Sequence, residues 1–401
     1  MAALSSAGAG DSAAAGLCLV SGESDELERL HPSIKGVWGA QSSGANIVSF
    51  NLDAFRSYAK EQGANAPVGK RAAFAYTTAL NHLLAKGSKQ RIQVGDASTV
   101  FWAEKPGHSM ETLFPRALGE AERDDPDIGT DAVKALLAAP HSGAEFFEDG
   151  DTRFYVLGLA PNAARIAVRF WETRSVAELA VNIRRHFDDL RIDHAPHEAD
   201  TLSLFRLLVA TATQGKAENI PPNLGGELLR SVIGGLPYPQ TLLSGAIRRI
   251  RAEQEVTYPR AAIIKASLNR YSKMEELKMS LDENNLNPAY RLGRLFAVLE
   301  RAQERASPNL NATIRDRYYG AASSTPVTVF PTLLKLKNHH VAKLDNKGEA
   351  VNLEKLIGQI VDGIDDFPAQ LGLHDQGRFA IGYYHQRQAF FTKSDKNEQG
   401  E

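Results

Sequence analysis

Arginine and lysine side chains are concentrated between Ser244 and Lys273. This stretch holds seven basic residues and only two acidic ones, Glu253 and Glu255. Guanidinium groups form paired hydrogen bonds with phosphate oxygens, and clustered positive charge attracts a nucleic-acid backbone whatever its base sequence. The stretch therefore predicts a surface that binds a polyanion. A solvated helix face without a ligand is the alternative that charge alone leaves open.

Helices must position these basic side chains. Breaker residues divide 221–270 into three short helices, and the apolar residues of the second fall on an arc of roughly 140°, at about 100° per residue. Its basic residues, Arg248, Arg249 and Arg251, lie outside this arc or at its edge, and Lys265 and Arg270 lie off the apolar face of the third helix. Arg291 and Arg294 lie off the apolar stripe of a later helix. We expect all seven side chains to be exposed.

A second group of polar residues lies nearer the beginning of the chain. A loop of small residues joins two predicted strands, at 34–38 and 47–50, and offers the side chains of Gln41, Ser42, Ser43 and Asn46. Such a loop allows close approach to a sugar-phosphate, although an ordinary turn is the alternative. Lys70 and Arg71 begin a helix, where positive charge opposes the helix dipole. This unfavourable placement leaves room for a functional use, and we expect the two cations to contact nucleic acid.

Carboxylates between residues 105 and 151 suggest another class of protein, a metal-dependent nuclease. Its candidate residues are Asp124, Asp127, Glu145 and His197. The aspartates are nearly adjacent in a segment rich in breakers, rather than presented by separate strands, so a solvated loop is favoured. The zinc-protease, phosphate-loop and serine-nucleophile motifs are absent. The sequence therefore predicts no catalytic site, no metal and no other cofactor.

Composition limits the remaining classes of protein. The 401 residues are enough for two domains, and the net charge of −2 means that a nucleic-acid surface must be local. The single cysteine, Cys18, excludes intramolecular disulfides and cysteine-rich zinc sites, which fits a reducing cytoplasm. No apolar run of membrane-spanning length and no secretory signal are present. We expect a cytoplasmic protein without a membrane partner.

The fold class predicted is α+β, a mixed α/β amino-terminal region followed by an all-α helical bundle. The amphipathic pattern of residues 51–63 predicts a helix that ends at Gly63. Gly95 and Asp96 mark a hairpin turn, and Ser175 with Glu178 has the spacing of a capping box. From Thr201 onward only helical periodicity remains. The predicted order is a flexible linker at 1–16, an α+β domain at 17–193, a linker at 194–200, the helical bundle at 201–393 and a frayed tail at 394–401.

Three blocks of sequence resemble one known family. Residues 36–84, GVWGAQSSGANIVSFNLDAFRSYAKEQGANAPVGKRAAFAYTTALNHLL, resemble the middle of the large subunit of the type I-C CRISPR effector complex, Cascade. Residues 220–270 and 376–394 resemble its carboxyl-terminal helical part. The resemblance extends from about Leu17 to Ser394. It does not include the amino-terminal domain of such subunits, so we expect the chain to be a fragment.

The resemblance implies a non-catalytic role in an RNA-guided antiviral complex. The expected partners are the guide RNA–target DNA heteroduplex, the displaced DNA strand, the other Cascade subunits and a recruited helicase-nuclease that cleaves the DNA. Forming the heteroduplex is nearly balanced against melting the DNA duplex, so protein contacts to the backbone favour the R-loop. A structural scaffold whose basic patches meet acidic protein surfaces is the other alternative. The resemblance also implies a separately translated small subunit, at 274–393 or 279–393, which begins at Met274 or Met279.

Overall fold

The computed structural model describes residues 15–119, 149–308 and 310–398. The chain divides into two compact units: Met1–Pro115 with Thr152–Thr173, and Arg116–Asp151 with Arg174–Glu401. Among the described residues, strands occur only before residue 176 and α-helices predominate after it, which confirms the predicted α+β class. The division between units falls before the helix at Val176–Leu190, whereas the sequence placed it after that helix.

Six strands lie in the described part of the chain. They are β1 (Ala15–Leu17), β2 (Ser24–Glu26), β3 (Arg91–Val94), β4 (Ala97–Ala103), β5 (Arg153–Asn162) and β6 (Arg165–Ser175). β1 and β2 pair as a small antiparallel ribbon, which includes the last two residues of the predicted linker. The other four form a sheet in the order β3-β4-β5-β6. The pair Val94–Ala97 encloses Gly95 and Asp96, so the predicted hairpin turn is confirmed.

Both faces of the four-stranded sheet are covered. Alternate residues of β4 point to opposite faces, because successive side chains of a strand alternate. Val100 packs with Leu157 and with Leu80 of helix α1 (Lys70–Leu83). On the opposite face, the Phe101 ring centroid lies 4.7 Å from that of Phe114, in helix α2 (Met110–Leu118). The first unit therefore has its core on two sides of one sheet.

The segments before α1 are less regular than predicted. Neither 34–38 nor 47–50 forms a strand, and single bridges join Ile34 to Ala45 and Asn46 to Arg165 instead. The helix predicted at 51–63 is also wrong, because this segment forms three short 3-10 turns. A Cβ at Gly63 would lie 2.2 Å from the carbonyl oxygen of Glu28. This close tertiary contact holds the segment in a path that the amphipathic pattern did not indicate.

From Val176 onward, the described residues of the second unit form α-helices, short 3-10 turns and the loops that join them. Its helices are α3 (Val176–Leu190), α4 (Leu204–Thr211), α5 (Leu224–Gly234), α6 (Gln240–Glu253), α7 (Tyr258–Ser272), α8 (Pro288–Ala306), α9 (Ile314–Ala322), α10 (Pro326–Ala342), α11 (Lys347–Val361) and α12 (Leu373–Glu398). The Ser175 hydroxyl accepts from the Glu178 amide and the Glu178 carboxylate accepts from the Ser175 amide, which confirms the capping box. The predicted linker at 194–200 lies between α3 and α4, and α12 extends into the predicted tail.

Helix α7 lies at the centre of this bundle. Every residue from Tyr258 to Arg270 is buried, because α3, α4, α6 and α12 pack around it. Helices α8 and α12 approach each other closely along their backbones. A Cβ at Gly293 of α8 would lie 2.0 Å from the Phe379 carbonyl oxygen, and one at Gly382 of α12 would lie 2.0 Å from that of Tyr290. Helix α7, which its neighbours surround, therefore has no face toward solvent, whatever its hydrophobic pattern.

Candidate nucleic-acid interface

Helix α6 presents the clearest cationic surface of the second unit. The five apolar residues predicted to share one arc, Leu242, Leu243, Ala246, Ile247 and Ile250, are all buried, so that prediction is confirmed. Arg248 and Arg251 are exposed, and no ion pair or hydrogen bond to another described residue engages either guanidinium group. Residues three apart on a helix lie on the same face. The two guanidinium groups therefore extend into solvent side by side.

Arg249 is placed differently from its two neighbours. Its side chain is 15% exposed, and its Nη1 lies 3.6 Å from Oε1 of Glu253, one turn further along α6. The same Glu253 forms an ion pair with the buried Arg260. Arg249 therefore has part of its charge balanced inside the protein. It remains at the edge of the surface that Arg248 and Arg251 form.

Arg270 was predicted to be exposed, and this prediction is wrong. Its side chain is 1% exposed, and its Nε donates to Oδ2 of Asp189 at 2.6 Å. Nη1 donates to the Leu236 carbonyl oxygen at 2.8 Å, and the guanidinium carbon lies 4.2 Å from the centroid of the Tyr238 ring. The cause is the central position of α7, which turns the nominally polar side of the helix toward α3 and the segment after α5.

Lys265 is also buried, contrary to the prediction. Its Nζ donates to the carbonyl oxygen of Asp189 at 3.0 Å. Burial lowers the pKa of this ammonium group, and the neighbouring Asp189 carboxylate only partly opposes that effect. Three basic residues of 244–273 therefore lie inside the bundle: Arg260, Lys265 and Arg270. Much of the positive charge counted in the sequence is therefore unavailable to a ligand.

Arg291 and Arg294 of α8 must be corrected in the same way. Both are buried. Nε of Arg291 donates to the Asn285 carbonyl oxygen at 2.9 Å, and Nε of Arg294 donates to Oε1 of Gln386 at 3.2 Å. Burial lowers the pKa of Arg294. These side chains hold α8 against its neighbours, because α8 is enclosed by α10, α11 and α12.

Lys70 and Arg71 are exposed but already have acidic partners. Lys70 forms an ion pair with Glu26, and Arg71 lies 3.2 Å from Glu23 and 3.4 Å from Asp25. All three acids lie on β2 or immediately before it. The positive charge that opposes the dipole of α1 is therefore balanced within the first unit, which removes the reason for expecting an external anion.

The loop predicted to approach nucleic acid is a hydrogen-bonded turn. The Gly44 amide donates to the Gln41 carbonyl oxygen at 2.9 Å, and the side chains of Gln41, Ser42 and Ser43 are exposed. Asn46 differs from them, because its Nδ2 donates to the His31 carbonyl oxygen at 2.6 Å. Three of the four polar side chains remain accessible, and the fourth holds the loop in place.

The structure also places exposed cations that the sequence analysis did not select. Arg317 lies on α9, Lys335 lies on α10 and Lys343 follows the last residue of α10, and all three are exposed. The end of α10 and the residue after it, KLKNHHVAK at 335–343, contain no acidic residue. That local excess of positive charge is visible in the sequence and could have been used to select Lys335 and Lys343.

Metal chemistry has no visible site in the described residues. No group of three or more His, Cys, Asp or Glu side chains in 15–119, 149–308 and 310–398 is arranged to hold a metal ion. His197 is exposed between α3 and α4, whereas Asp124, Asp127 and Glu145 lie outside the described residues. Within those same ranges, no helix combines the length and apolar character needed to cross a membrane.

Comparison with known proteins identifies the family. No curated protein matches the chain. The profile of one family, described as CRISPR-associated protein (Cas_Csd1), matches residues 1–391, which is nearly the whole chain. The chain therefore belongs to the Cas_Csd1 family of CRISPR-associated proteins.

Proposed function

We propose that this chain is a non-catalytic, nucleic-acid-binding subunit of a type I-C CRISPR effector complex in the cytoplasm. It contributes to target DNA binding and stabilises the R-loop through the exposed face of α6. The observation that carries the proposal is that Arg248 and Arg251 point into solvent without a described partner. Family membership supports the setting, a CRISPR-associated complex.

Physical chemistry supports a role in holding the backbone rather than in reading bases. The buried apolar arc of α6 fixes the helix, so the Cα atoms of Arg248 and Arg251 stay one turn apart on its exposed face. Arginine forks match the oxygens of a phosphate, and contacts to phosphates carry no base information. Because R-loop formation is nearly balanced energetically, a few such contacts are enough to favour the open state. Cleavage is left to the recruited helicase-nuclease.

The proposed partners are the guide RNA–target DNA heteroduplex or the displaced strand, together with the other subunits of the complex. The exposed side chains of Gln41, Ser42 and Ser43 are further candidates for contact in the first unit. Met274 and Met279 lie between α7 and α8. A small subunit translated from either methionine would therefore contain α8–α12 as whole helices.

The test is DNA binding by the assembled complex as a function of salt. Arg248→Gln with Arg251→Gln should weaken target binding by roughly 10-fold and flatten the slope of log K against log salt by ~1.5, the value expected for two phosphate contacts. The matched control is Lys86→Gln with Lys89→Gln, which removes two exposed charges from the first unit. An equal loss in both variants, or no change in the salt slope, would refute the proposal.

The scaffold alternative makes a different prediction for the same surface. If the basic face of α6 meets an acidic protein instead, crosslinkers placed at Arg248 should capture another subunit and neither DNA strand. A map of crosslinks to the guide RNA and to both DNA strands separates the two functions. The nuclease alternative is tested by incubating the purified chain with single-stranded DNA and Mn²⁺, where cleavage would favour it.

A further inference from the structure

A cavity in the first unit has no role in the function proposed above. It has a volume of about 270 Å³ and lies among three segments, 29–33, 46–50 and 62–63. Small-molecule sites in proteins usually occupy ~300 Å³ or more. The cavity is therefore at the lower end of that range, and its occupant must be small.

Two hydrogen bonds fix the walls of this cavity relative to each other. Nδ2 of Asn46 donates to the His31 carbonyl oxygen at 2.6 Å, which ties the second segment to the first. The Gly63 amide donates to the Arg29 carbonyl oxygen at 3.0 Å, which ties the third segment to the first. The three segments therefore form one pre-organised cavity rather than a chance gap between loops.

The backbone beside the cavity is held in an unfavourable conformation. Gln62, which lines the cavity, has a φ of 46°, and Tyr58 in the preceding turn has a φ of 57°. Residues other than glycine adopt such angles at a cost of roughly 1 kcal/mol or more, and these angles are concentrated at functional sites. The strain is retained here in a segment that contributes an amide side chain to the cavity wall.

The polar groups of the lining define the chemistry of the occupant. Arg29 carries the one charge among the lining residues that does not depend on pH, and no lining residue is a carboxylate. No ion pair within the described residues engages Arg29, and no described hydrogen bond engages the hydroxyls of Ser33 and Ser49 or the side-chain amide of Gln62. A cationic occupant is disfavoured, whereas an anion with several hydrogen-bonding edges fits.

His31 lines this wall without adding charge to it. Its Nδ1 lies 2.6 Å from the Tyr76 hydroxyl, and its buried Nε2 has no hydrogen-bond partner within the described part of the chain. Burial lowers the pKa of His31, so the imidazole is neutral at physiological pH.

One wall of the cavity is aromatic. The ring of Phe50 lines the cavity and lies edge-on to the ring of Phe55, with 5.4 Å between their centroids. Phe55 is covered in turn by the guanidinium group of Arg165, at 5.4 Å, and Arg165 donates to Oδ1 of Asn51 at 2.7 Å. This chain of contacts fixes the orientation of Phe50. A fixed aromatic ring is a surface on which a nucleobase stacks.

We infer that this cavity binds a single nucleotide, with its phosphate on Arg29, its base against Phe50 and its polar edges on Ser33, Ser49 and Gln62. The same chemistry is offered by a free mononucleotide and by one unstacked nucleotide of a single strand. The site is separate from the arginines of α6. Its occupancy therefore does not depend on the function proposed for that helix.

The test measures binding to the full chain of deoxyadenosine 5′-monophosphate and of a short fluorescent oligodeoxyadenylate. Arg29→Gln should weaken binding by about 10-fold or more, because a hydrogen bond to a charged group is lost. Lys35→Gln is the matched control, since Lys35 is exposed nearby but lies outside the cavity lining, and it should change affinity by less than about 2-fold. Ser49→Leu, which fills the cavity from another segment, should also abolish binding.

The two probes separate the sources of the nucleotide. If only the mononucleotide binds, the ligand is a free nucleotide. If the oligodeoxyadenylate binds and the mononucleotide displaces it, the ligand is a nucleotide within a strand. Either result supports the site. Binding of neither probe, or equal effects of Arg29→Gln and Lys35→Gln, overturns it. The variant Arg248→Gln with Arg251→Gln should bind the mononucleotide normally, so failure of the cavity and failure of the α6 interface are distinguishable.

Discussion

Arg270 and Asp189 form an ion pair inside the helical unit, with 2.6 Å between Nε and Oδ2. Asp189 also accepts from Nζ of Lys265 through its backbone carbonyl oxygen. One residue at the end of α3 thus engages two cations of α7. The consequence is that basic residues near each other in sequence have opposite roles, since those of α7 stabilise the fold while Arg248 and Arg251 of α6 remain available.

Replacing Arg270 should therefore affect stability rather than binding. Arg270→Ala removes the buried guanidinium group from Asp189, which keeps Arg185 at 3.6 Å, and opens a cavity beside Tyr238, so the free energy of unfolding should fall by about 2 to 4 kcal/mol. Urea unfolding followed by circular dichroism measures this change. Arg251→Ala is the control and should alter the free energy of unfolding by less than about 0.5 kcal/mol. Weakened DNA binding by Arg270→Ala at unchanged stability would contradict the assignment.

Local features of the fold were predictable from the sequence. The turn at Gly95 and Asp96, the capping box of Ser175 and Glu178 and the buried arc of α6 all depend on residues within a few positions of one another. Turn conformation, helix capping and hydrophobic periodicity predict these features, and each depends on neighbouring residues alone. The exposure of Arg248 and Arg251 followed from the same periodicity.

Burial by distant segments was not predictable in this way. Asp189 precedes Arg270 by 81 positions, so nothing in the sequence of α7 shows that its polar side would be covered. The helix expected at 51–63 failed for a similar reason, because Gly63 packs on the backbone of Glu28. The cavity at Arg29 and Phe50 also combines distant segments, and only the folded chain brings them together.

The glycine pair between α8 and α12 yields a second stability prediction. A Cβ at Gly293 would lie 2.0 Å from the backbone oxygen of Phe379, so Gly293→Ala must push the two helices apart. We expect a loss of about 3 kcal/mol or more in the free energy of unfolding, seen as a lower melting temperature.

Gly358 in α11 is the matched control for that substitution. A Cβ at Gly358 meets no atom within 4 Å, so Gly358→Ala should leave packing unchanged. It should raise stability by about 0.5 to 1 kcal/mol, since alanine favours a helix more than glycine does. If both substitutions had the same effect, the close backbone contact of α8 with α12 would not be the cause.

Buried histidines should make the protein sensitive to acid. His385 is buried beside the Tyr290 hydroxyl, 2.9 Å from its Nδ1, and burial lowers its pKa to about 3. Burial also lowers the pKa of His186 well below its ordinary value. In the unfolded chain these groups take up protons near pH ~6.5. Stability is therefore fully present above that pH and is lost as pH falls toward the folded pKa.

The variant His385→Gln isolates this contribution through the change of unfolding free energy with pH, rather than through the unfolding free energy at one pH. For the wild type, His385 alone should remove about 2 kcal/mol of unfolding free energy between pH 7 and pH 5. The variant should lack that part of the loss, as measured by urea unfolding at the two pH values. His197→Gln, which changes an exposed histidine, should keep the wild-type slope. An unchanged slope in His385→Gln would mean that the imidazole is protonated equally in the folded and unfolded chain.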